Sequence, residues 1–560
     1  MAGFRIDPLS SFVALAILLF TGLTAVYSSK FIPQFFRLRK GERPTAERTH
    51  VLLYYIYIIF TALVSIGVVL ADNLILLAVF WGFLGLLLYL LINLGAGNSD
   101  AAAKKTFIIV GGTDALMLLG IGIIYYLSGH FRMDRISLEL NNGLSVLAYL
   151  CIAAACFAKA GAMPFHSWIP DCAEAAPLPV AAYLPAAIDK LLGIYLLARI
   201  SLELFVLHQA MNIFLMLTGA FTILAAVMMA LAQHNMKRLL GYHAVSQVGY
   251  MVLGIGTGNP IGIAGGLFHM LNNALYKSGL FFAAGNVEYR ADTADLDKLG
   301  GLSRRMPLTY ISFLVAVLSI SGVPPFNGFV SKWMIYQGLF AQFQAASRIG
   351  QAVSIFCLAA AMFGSCLTLA SFMKLLHAVF LGRAQGLGRR TCVEVPWQMW
   401  LPGIILAGIC IIFGIFAYQV PLKYFIFPAV GAVSFLGDWQ AIASSLLILL
   451  GLGLGLWAFK LKGARADVRQ DAAFIGGETV ALDENRVSGA DFYNTLKELK
   501  CLKAAYNKAE AGYFDLYEQG RAAVFGIGRF FQYLHNGVLP TYLVWTLLGM
   551  IGLFLFLFLK

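Results

Sequence analysis

The chain has 560 residues, of which 60% are apolar and 12% charged, against about 25% charged in an ordinary soluble chain. One soluble core could not cover that much apolar surface, which excludes a soluble enzyme, a nucleic-acid-binding domain and a disordered scaffold. Continuous apolar runs of about 20 residues, rather than alternation over about ten, exclude a transmembrane β-barrel, and the net charge of +12 reads as the Lys and Arg excess of cytoplasmic loops rather than a nucleic-acid footprint.

Met1 to Pro8 carries Arg5 and Asp7 with no small-residue cleavage site at the expected distance, so it does not read as a cleavable signal. Apolar runs then predict an all-α polytopic membrane protein of 14 spans, near 10–32, 51–70, 73–94, 106–128, 143–163, 178–198, 210–232, 239–257, 262–286, 307–340, 351–381, 400–419, 439–459 and 541–559. The tenth is too long for one straight helix. Gly322-Val-Pro-Pro-Phe-Asn-Gly328 interrupts it, so it is expected to be one discontinuous helix of two halves, tolerated where it lines a hydrated cavity. Gly161-Ala-Met-Pro164-Phe165 resembles Gly322-Val-Pro-Pro325-Phe326, and about five helices separate the two. An odd-numbered unit repeated in tandem must lie inverted in the membrane.

The basic loops Arg37 to Arg48, Lys104-Lys105, Lys237-Arg238, Arg290 to Arg305, Arg383 to Arg390 and Lys460 to Arg469 fall on one side if the broken helix counts once. That side is the cytoplasm, with both termini outside and Arg132 and Arg135 as the exceptions. The expected organisation is an N-terminal helix and basic loop (1–50), two inverted five-helix repeats that form half-channels (51–200 and 201–381), peripheral spans (382–463), a polar segment with an amphipathic lateral helix (464–538) and an anchor helix (539–560). From Phe492 through Leu499, Tyr506, Tyr513, Leu516, Ile527 and Phe530 to Leu534, apolar residues recur every three or four positions, with Ser488 as N-cap. That predicts a surface helix of about 46 residues, about 70 Å long if unbroken. The alternative is two shorter helices broken near Gly512 or near Gly526 and Gly528.

Eight scattered cysteines form no CxxC pair and no zinc or Fe–S spacing, so neither a metal site nor a redox cofactor is expected in this chain. No phosphate-binding loop of the ATPase type is present. The chemistry lies instead in ionisable residues at membrane depth, each costing about 2.5–3.5 kcal/mol on insertion scales. Lys190 is mid-span. His269, Asn273 and Lys277 share one face at i, i+4 and i+8. Lys159 and Lys332 flank the two Gly/Pro interruptions, and Asp114 lies inside its span. Lys374 and His377, late in the eleventh span, and His243 are secondary candidates. A row of desolvated lysines bridged by His, Asn, Ser and water can pass protons across a bilayer; the competing reading is that each lysine snorkels or pairs structurally.

Five segments carry a resemblance. They are Arg5-Ile-Asp-Pro-Leu-Ser10, Phe157-Ala-Lys-Ala-Gly-Ala-Met-Pro-Phe-His-Ser-Trp-Ile-Pro-Asp171, Lys237-Arg-Leu-Leu-Gly-Tyr-His-Ala-Val-Ser-Gln-Val-Gly-Tyr250, His269-Met-Leu-Asn-Asn-Ala-Leu-Tyr-Lys277 and Gly322-Val-Pro-Pro-Phe-Asn-Gly-Phe-Val-Ser-Lys332. In order and spacing the chain resembles the antiporter-like proton-channel subunits of respiratory complex I, membrane-bound [NiFe] hydrogenases, formate hydrogenlyases and Mrp cation/proton antiporters. The amphipathic segment and last span resemble the end of the largest such subunit. The resemblance implies that Lys159 is the lysine of the first half-channel, Lys190 the connecting lysine, Lys277 the central lysine with His269 in its relay, and Lys332 the terminal residue that opens outward. It also implies departures. Gly82 stands after Trp81 where the family usually has an acid, so that Asp114, or an acid from another subunit, is expected to substitute as the partner of Lys159. Asn273 stands where many members have a second histidine, and the first two helices of the typical fold are missing.

The expected function is that of a proton-translocating, non-redox subunit of a multisubunit complex-I-like oxidoreductase, with a membrane-bound hydrogenase or related complex favoured. Its expected partners are other membrane subunits, the lipid bilayer of a prokaryotic cytoplasmic (inner) membrane, and protons or also Na⁺, with no nucleic acid. The alternatives are a cation/proton antiporter subunit without a redox partner and a structural membrane-arm subunit with impaired pumping.

Overall fold

The computed structural model describes residues 3–39, 44–382, 392–437, 439–461, 493 and 497–559. The expected basic loop Arg383 to Arg390, most of Lys460 to Arg469 and the Ser488 cap lie outside the described residues. Two compact units divide at Leu499 and Lys500.

The first unit begins with α1 (Pro8–Arg39), α2 (Pro44–Leu70), α3 (Leu74–Asn93), α4 (Ser99–Ser128) and α5 (Gly143–Ala160). After α5 come a short α6 (Trp168–Ala175), α7 (Leu178–Leu204), α8 (Gln209–Leu231), α9 (Met236–Gly256) and α10 (Pro260–Ala291). The series ends with α11 (Pro307–Ser321), α12 (Asn327–Ala345), α13 (Arg348–Leu381), α14 (Trp397–Ile415) and α15 (Ala441–Leu461). The starts follow the capping rule. Asn73, Asn142, Asn235, Asn259 and Ser347 each accept a hydrogen bond from a backbone N–H of the following first turn, worth about 1 kcal/mol apiece.

Eleven helices among the described residues are long and apolar enough to cross a membrane. The outer helices point Leu15, Leu18, Ile59, Phe60 and Leu118 outward, each at least half exposed, as lipid-facing surfaces require. The interior inverts the usual order. Helix α7 is buried from Leu178 through Ile200, and α9 and α10 bury a polar set that includes His243, Gln247, His269, Asn272, Asn273 and Lys277. Helix α10 is the axis, packing against α7, α9, α11, α12 and α14.

The interruption expected in the tenth span is present, as the break between α11 and α12. The other Gly/Pro interruption, beside Lys159, is present too: α5 stops at Ala160, and α6 resumes helically only at Trp168. Both stops sit on a glycine in the left-handed region, Gly161 at φ +86° and Gly322 at φ +78°, where a β-carbon is unfavourable. Around the second break, Asn272 donates to the Asn327 carbonyl at 2.9 Å and accepts from the Asn327 side-chain amide at 2.9 Å, while Ser319 bonds Asn327 Oδ1. This closed network ties α10, α11 and α12 together.

Helix α7 carries a wide π-turn at Leu184–Ile188 that contains Pro185. Proline has no N–H to donate and its ring crowds the preceding turn, so the helix widens. Side chains of α10 then serve its carbonyls: Ser278 donates to Ala182 O at 2.8 Å and Asn273 to Ala186 O at 3.3 Å. The π-turn leads directly into Asp189 and Lys190.

The second unit, by itself, holds α16 (Lys500–Glu510), α17 (Leu516–Leu534) and α18 (Leu539–Phe558). The unbroken amphipathic helix expected there is corrected to two pieces. Gly512 adopts φ +76°, which closes the first piece, and the Asp515 side chain accepts from the Tyr517 N–H to start the second. Gly526 and Gly528 stay helical.

Helices α5 and α7 meet where Gly193 lies against the end of α5. A β-carbon at Gly193 would sit 2.7 Å from Ala160 N and 2.8 Å from Cys156 O. Gly193→Ala is expected to cost about 1–3 kcal/mol by overpacking, read as a lower thermal-unfolding midpoint in detergent. Gly82→Ala, with open space around it, is expected to leave that midpoint unchanged or slightly raised.

Candidate functional site

A helix that stops inside a bundle leaves its last carbonyls without N–H partners, and its C-terminal end carries the negative pole of the helix dipole. The two breaks fill that need alike. Lys190 Nζ donates to the carbonyl of Ala160, the last residue of α5, at 3.1 Å. Lys332 Nζ donates to the carbonyl of Ile320, in the last turn of α11, at 2.9 Å. The Trp168 indole N–H takes Ala158 O at 2.9 Å. Gly322 is as close to Lys332 as a glycine must be: a β-carbon there would stand 3.0 Å from Lys332 Cδ.

From these two anchors the buried ionisable groups form a row. Lys159, Lys190 and Lys277 are wholly buried and Lys332 is 2% exposed. Lys159 Nζ lies 3.5 Å from Asp189 Oδ1 and 5.6 Å from the centre of the Trp81 ring. Asp189 is within electrostatic reach of both Lys159 and Lys190, and Lys190 of Lys277. Lys277 Nζ donates to Leu240 O at 2.9 Å and stands 5.5 Å from the Phe372 ring centre. The same ring packs on His243 at 4.5 Å, and His243 Nε2 bonds Ser371 Oγ at 2.7 Å. Further along, His269 Nε2 meets Gln247 Oε1 at 3.1 Å and Tyr276 OH at 3.3 Å, while its Nδ1 meets Ser331 Oγ at 2.9 Å. Tyr250 packs on His269 at 5.4 Å and lies beneath Lys332 Nζ at 4.8 Å.

The segment 71–377 that builds this row matches the family model described as NADH:quinone oxidoreductase/Mrp antiporter, transmembrane. The chain belongs to that family. It is 31% identical over 386 residues to a Na(+)/H(+) antiporter subunit of Alkalihalophilus pseudofirmus, covering 65% of this chain and 48% of that protein. It is 28% identical over 433 residues to hydrogenase-4 component B of Escherichia coli, covering 74% of this chain and 62% of that one. The chain thus spans about half the length of the first of these curated relatives. In fold it is similar to a chain of the membrane-bound sulfane sulfur reductase, an archaeal respiratory membrane complex, with a TM-score of 0.77 at 21% identity over 98% of this chain and 89% of that chain.

Like the antiporter-like membrane subunits it belongs with, the present chain is polytopic and helical, and it brings Lys159, Lys190, His243, His269, Lys277 and Lys332 into one buried row. Other expected residues sit elsewhere. Asn273 supports the π-turn of α7 through Ala186 O rather than bonding His269 or Lys277. Lys374 donates to Leu231 O at 2.9 Å and Gln233 O at 3.0 Å, so it caps the C-terminal end of α8, the charge a helix end prefers. His377 is exposed at the end of α13. Asp114 accepts from the Trp81 indole at 2.9 Å. The acid within ion-pair distance of Lys159 is Asp189, and Asp114 is a second acid within electrostatic reach of the same lysine. Gly82 is exposed on the outer face of α3.

Asp189, Gln247, Tyr250, Tyr276, Ser331 and Ser371 were not singled out by the sequence. Asp189 had a readable signal, an acid beside Lys190 in the middle of an apolar run. The others lie on helix faces whose neighbours only the fold supplies.

An ion-pair cluster closes one end of the bundle, where α1 starts and α7 ends. Arg199 Nη2 pairs with Asp7 Oδ2 at 2.6 Å and also with Glu203, and Arg5 pairs with Glu203 at 2.9 Å. A second cluster lies at the N-terminal ends of α4 and α9, where Asp171 pairs with Lys105 at 2.6 Å and Arg238 at 2.9 Å. Burial opposes ionisation of Asp7, but the Ser10 N–H and Arg199 outweigh it and hold the carboxyl below its ordinary value of 3.8. A depressed folded pKa contributes stability above the ordinary value and loses it as pH falls through and below it. The unfolding midpoint is thus expected to drop on acidification below that value, and Asp7→Asn to be less stable at neutral pH, with a flatter acid limb in thermal melts.

Proposed function

We propose that this chain is the proton-translocating membrane subunit of a multisubunit complex-I-like oxidoreductase, akin to membrane-bound hydrogenases and related complexes, coupling redox chemistry in partner subunits to ion pumping. The observation that carries the reading is the set of buried ionisable groups Lys159, Asp189, Lys190, Lys277, His243, His269 and Lys332 gathered in the interior of the bundle. Charges at membrane depth are expensive and are retained where they serve transport. Lys159 Nζ, Asp189 Oδ2, His243 Nδ1 and Gln247 Nε2 have no hydrogen-bond partner among the described residues; buried polar atoms of that kind bind water, which would bridge the row for proton hopping. The other membrane subunits of the complex are the partners, with the bilayer of a prokaryotic cytoplasmic membrane around them.

The finer arrangement belongs to the same proposal. The interrupted pair α11 and α12 crosses once and α9 and α10 each cross, completing 14 spans. The matching glycine stops at Gly161 and Gly322 support two inverted repeats across 51–200 and 201–381, with 1–50, 382–463, 464–538 and 539–560 as the flanking regions. Both termini lie on the outer side, and the amphipathic pair α16 and α17 lies laterally along neighbouring subunits with α18 as its anchor.

A second reading, a subunit of a cation/proton antiporter without a redox partner, is favoured by the 31% identity to a Na(+)/H(+) antiporter component. Nickel, Fe–S and flavin in the complex purified with this chain support the oxidoreductase; their absence from an intact complex supports the antiporter. A purely structural role is opposed by the four retained lysines.

Lys277→Ala removes the group between the two halves of the row. It is expected to abolish proton translocation in reconstituted vesicles while the complex still assembles on native gels; translocation at the wild-type rate would refute the path.

A further inference from the structure

The row contains one carboxylate with no assigned task. Asp189 is 2% exposed and sits where α5 and α7 are in backbone contact through Gly193. Its Oδ1 faces Lys159 Nζ at 3.5 Å, longer than a charge-assisted hydrogen bond, and its Oδ2 has no hydrogen-bond partner among the described residues. The next residue, Lys190, is bound to the carbonyl of Ala160, which follows Lys159 in sequence. Two amines and one carboxylate thus share one closed crossing point.

We propose that Asp189 is a relay carboxylate that carries a proton between Lys159 and Lys190, an inference that rests on reading the row as a proton path. The charge count drives it. A net charge in a site this buried is costly, and a paired charge is tolerated. Taken by itself the trio is neutral with one ammonium, one carboxylate and one free amine, so that two amines compete for one exchangeable proton; Asp114, a second acid within electrostatic reach of Lys159, lies outside the trio. Among the described residues, Asp189 is the acid within electrostatic reach of both, able to accept that proton and give it up again.

The step balances without any co-reactant. An N–H bond of the Lys159 ammonium breaks and an O–H bond forms on Asp189, leaving an amine and a carboxylic acid. Rotation about the Cβ–Cγ bond turns the acid toward Lys190. The O–H bond breaks, an N–H bond forms on Lys190, and the carboxylate is restored. One proton has moved, no charge has been created, and Lys159 is free to take up the next. Trp81, 5.6 Å from Lys159 Nζ on centre, walls the lysine with an aromatic face, and its indole N–H is bonded to Asp114, which is also within electrostatic reach of Lys159.

The test uses the intact complex reconstituted in vesicles. Asp189→Asn is expected to lower proton translocation at least tenfold with native-gel yield retained, and Asp189→Glu to recover most of it. Translocation by Asp189→Asn at the wild-type rate would overturn the proposal. Because Asn leaves Lys159 without its counter-ion and can impair assembly, a measurement on the unmutated protein stands beside it. Infrared difference spectra of complex labelled with isotopic aspartate, recorded on energisation, are expected to contain a D₂O-sensitive carboxylic-acid band that carries the label. No labelled acid band in a pumping complex would overturn the relay and leave Asp189 a fixed counter-ion. The outcomes separate from the broader reading through Lys277→Ala: if that variant is silent and Asp189→Asn is fully active, the relay alone fails, whereas if Lys277→Ala pumps normally the path itself fails.

Discussion

An ammonium group inside an apolar bundle must find an acceptor, and a continuous helix offers only carbonyls already bonded along its own axis, as Leu240 O offers Lys277, rather than a free one. The break is what supplies one. Where α5 stops at Ala160 and α11 stops near Ile320, carbonyls at the negative end of a helix dipole become available, and Lys190 and Lys332 take them. Much else follows from that constraint. The stops need a glycine in the left-handed region; α7 must approach α5 closely enough for Lys190 to reach, which Gly193 allows; and Gly322 must leave room for the Lys332 stem.

The same constraint explains why the polar interior is built from long helices with wide turns and interruptions rather than from loops. Carbonyls around the π-turn of α7 and at the second break are met by side chains of α10, as Ser278, Asn273 and Asn272 illustrate. Helix α10 therefore has two duties along its length: it satisfies the irregular backbone around it, and it presents His269 and Lys277 to the row. Aromatic rings fill the remaining sides of the charges. Phe372 lies between Lys277 and His243, and Tyr250 between Lys332 and His269, so that cation–π contacts stabilise the ammonium ions without offering a proton acceptor that would trap them.

Much of this was legible in the sequence. Apolar runs mark the spans because a bilayer tolerates little else, and Lys159, Lys190, Lys277 and Lys332 stand out against them. What was not legible is who faces whom. Asp114 and Asp189 are both acids inside apolar runs, and only the crossing of α5 with α7 decides that Lys159 meets the second. The first break was legible as the Gly/Pro interruption after Lys159, but the helix that follows it, Trp168–Ala175, is too short to register as an apolar run. The surface helix broke at Gly512 and not at Gly526 or Gly528 because only Gly512 is followed at once by a capping acid, Asp515, able to restart a helix.

The composition of the row also bears on which ion it can carry under the proposed function. A sodium ion sheds its water only where several oxygen ligands, usually with carboxylate among them, replace it. Between Lys159 and Lys332 the path holds four lysines and the carboxylate of Asp189, and any Na⁺ travelling it would be repelled by each lysine that holds its proton, across low-dielectric walls where like charges repel far more strongly than in water. A proton meets no such obstacle, because it travels as a change in which amine is charged and never as an extra ion beside one. Under the proposed function, the row is therefore built for a proton, which needs no oxygen cage and adds no charge beside a lysine.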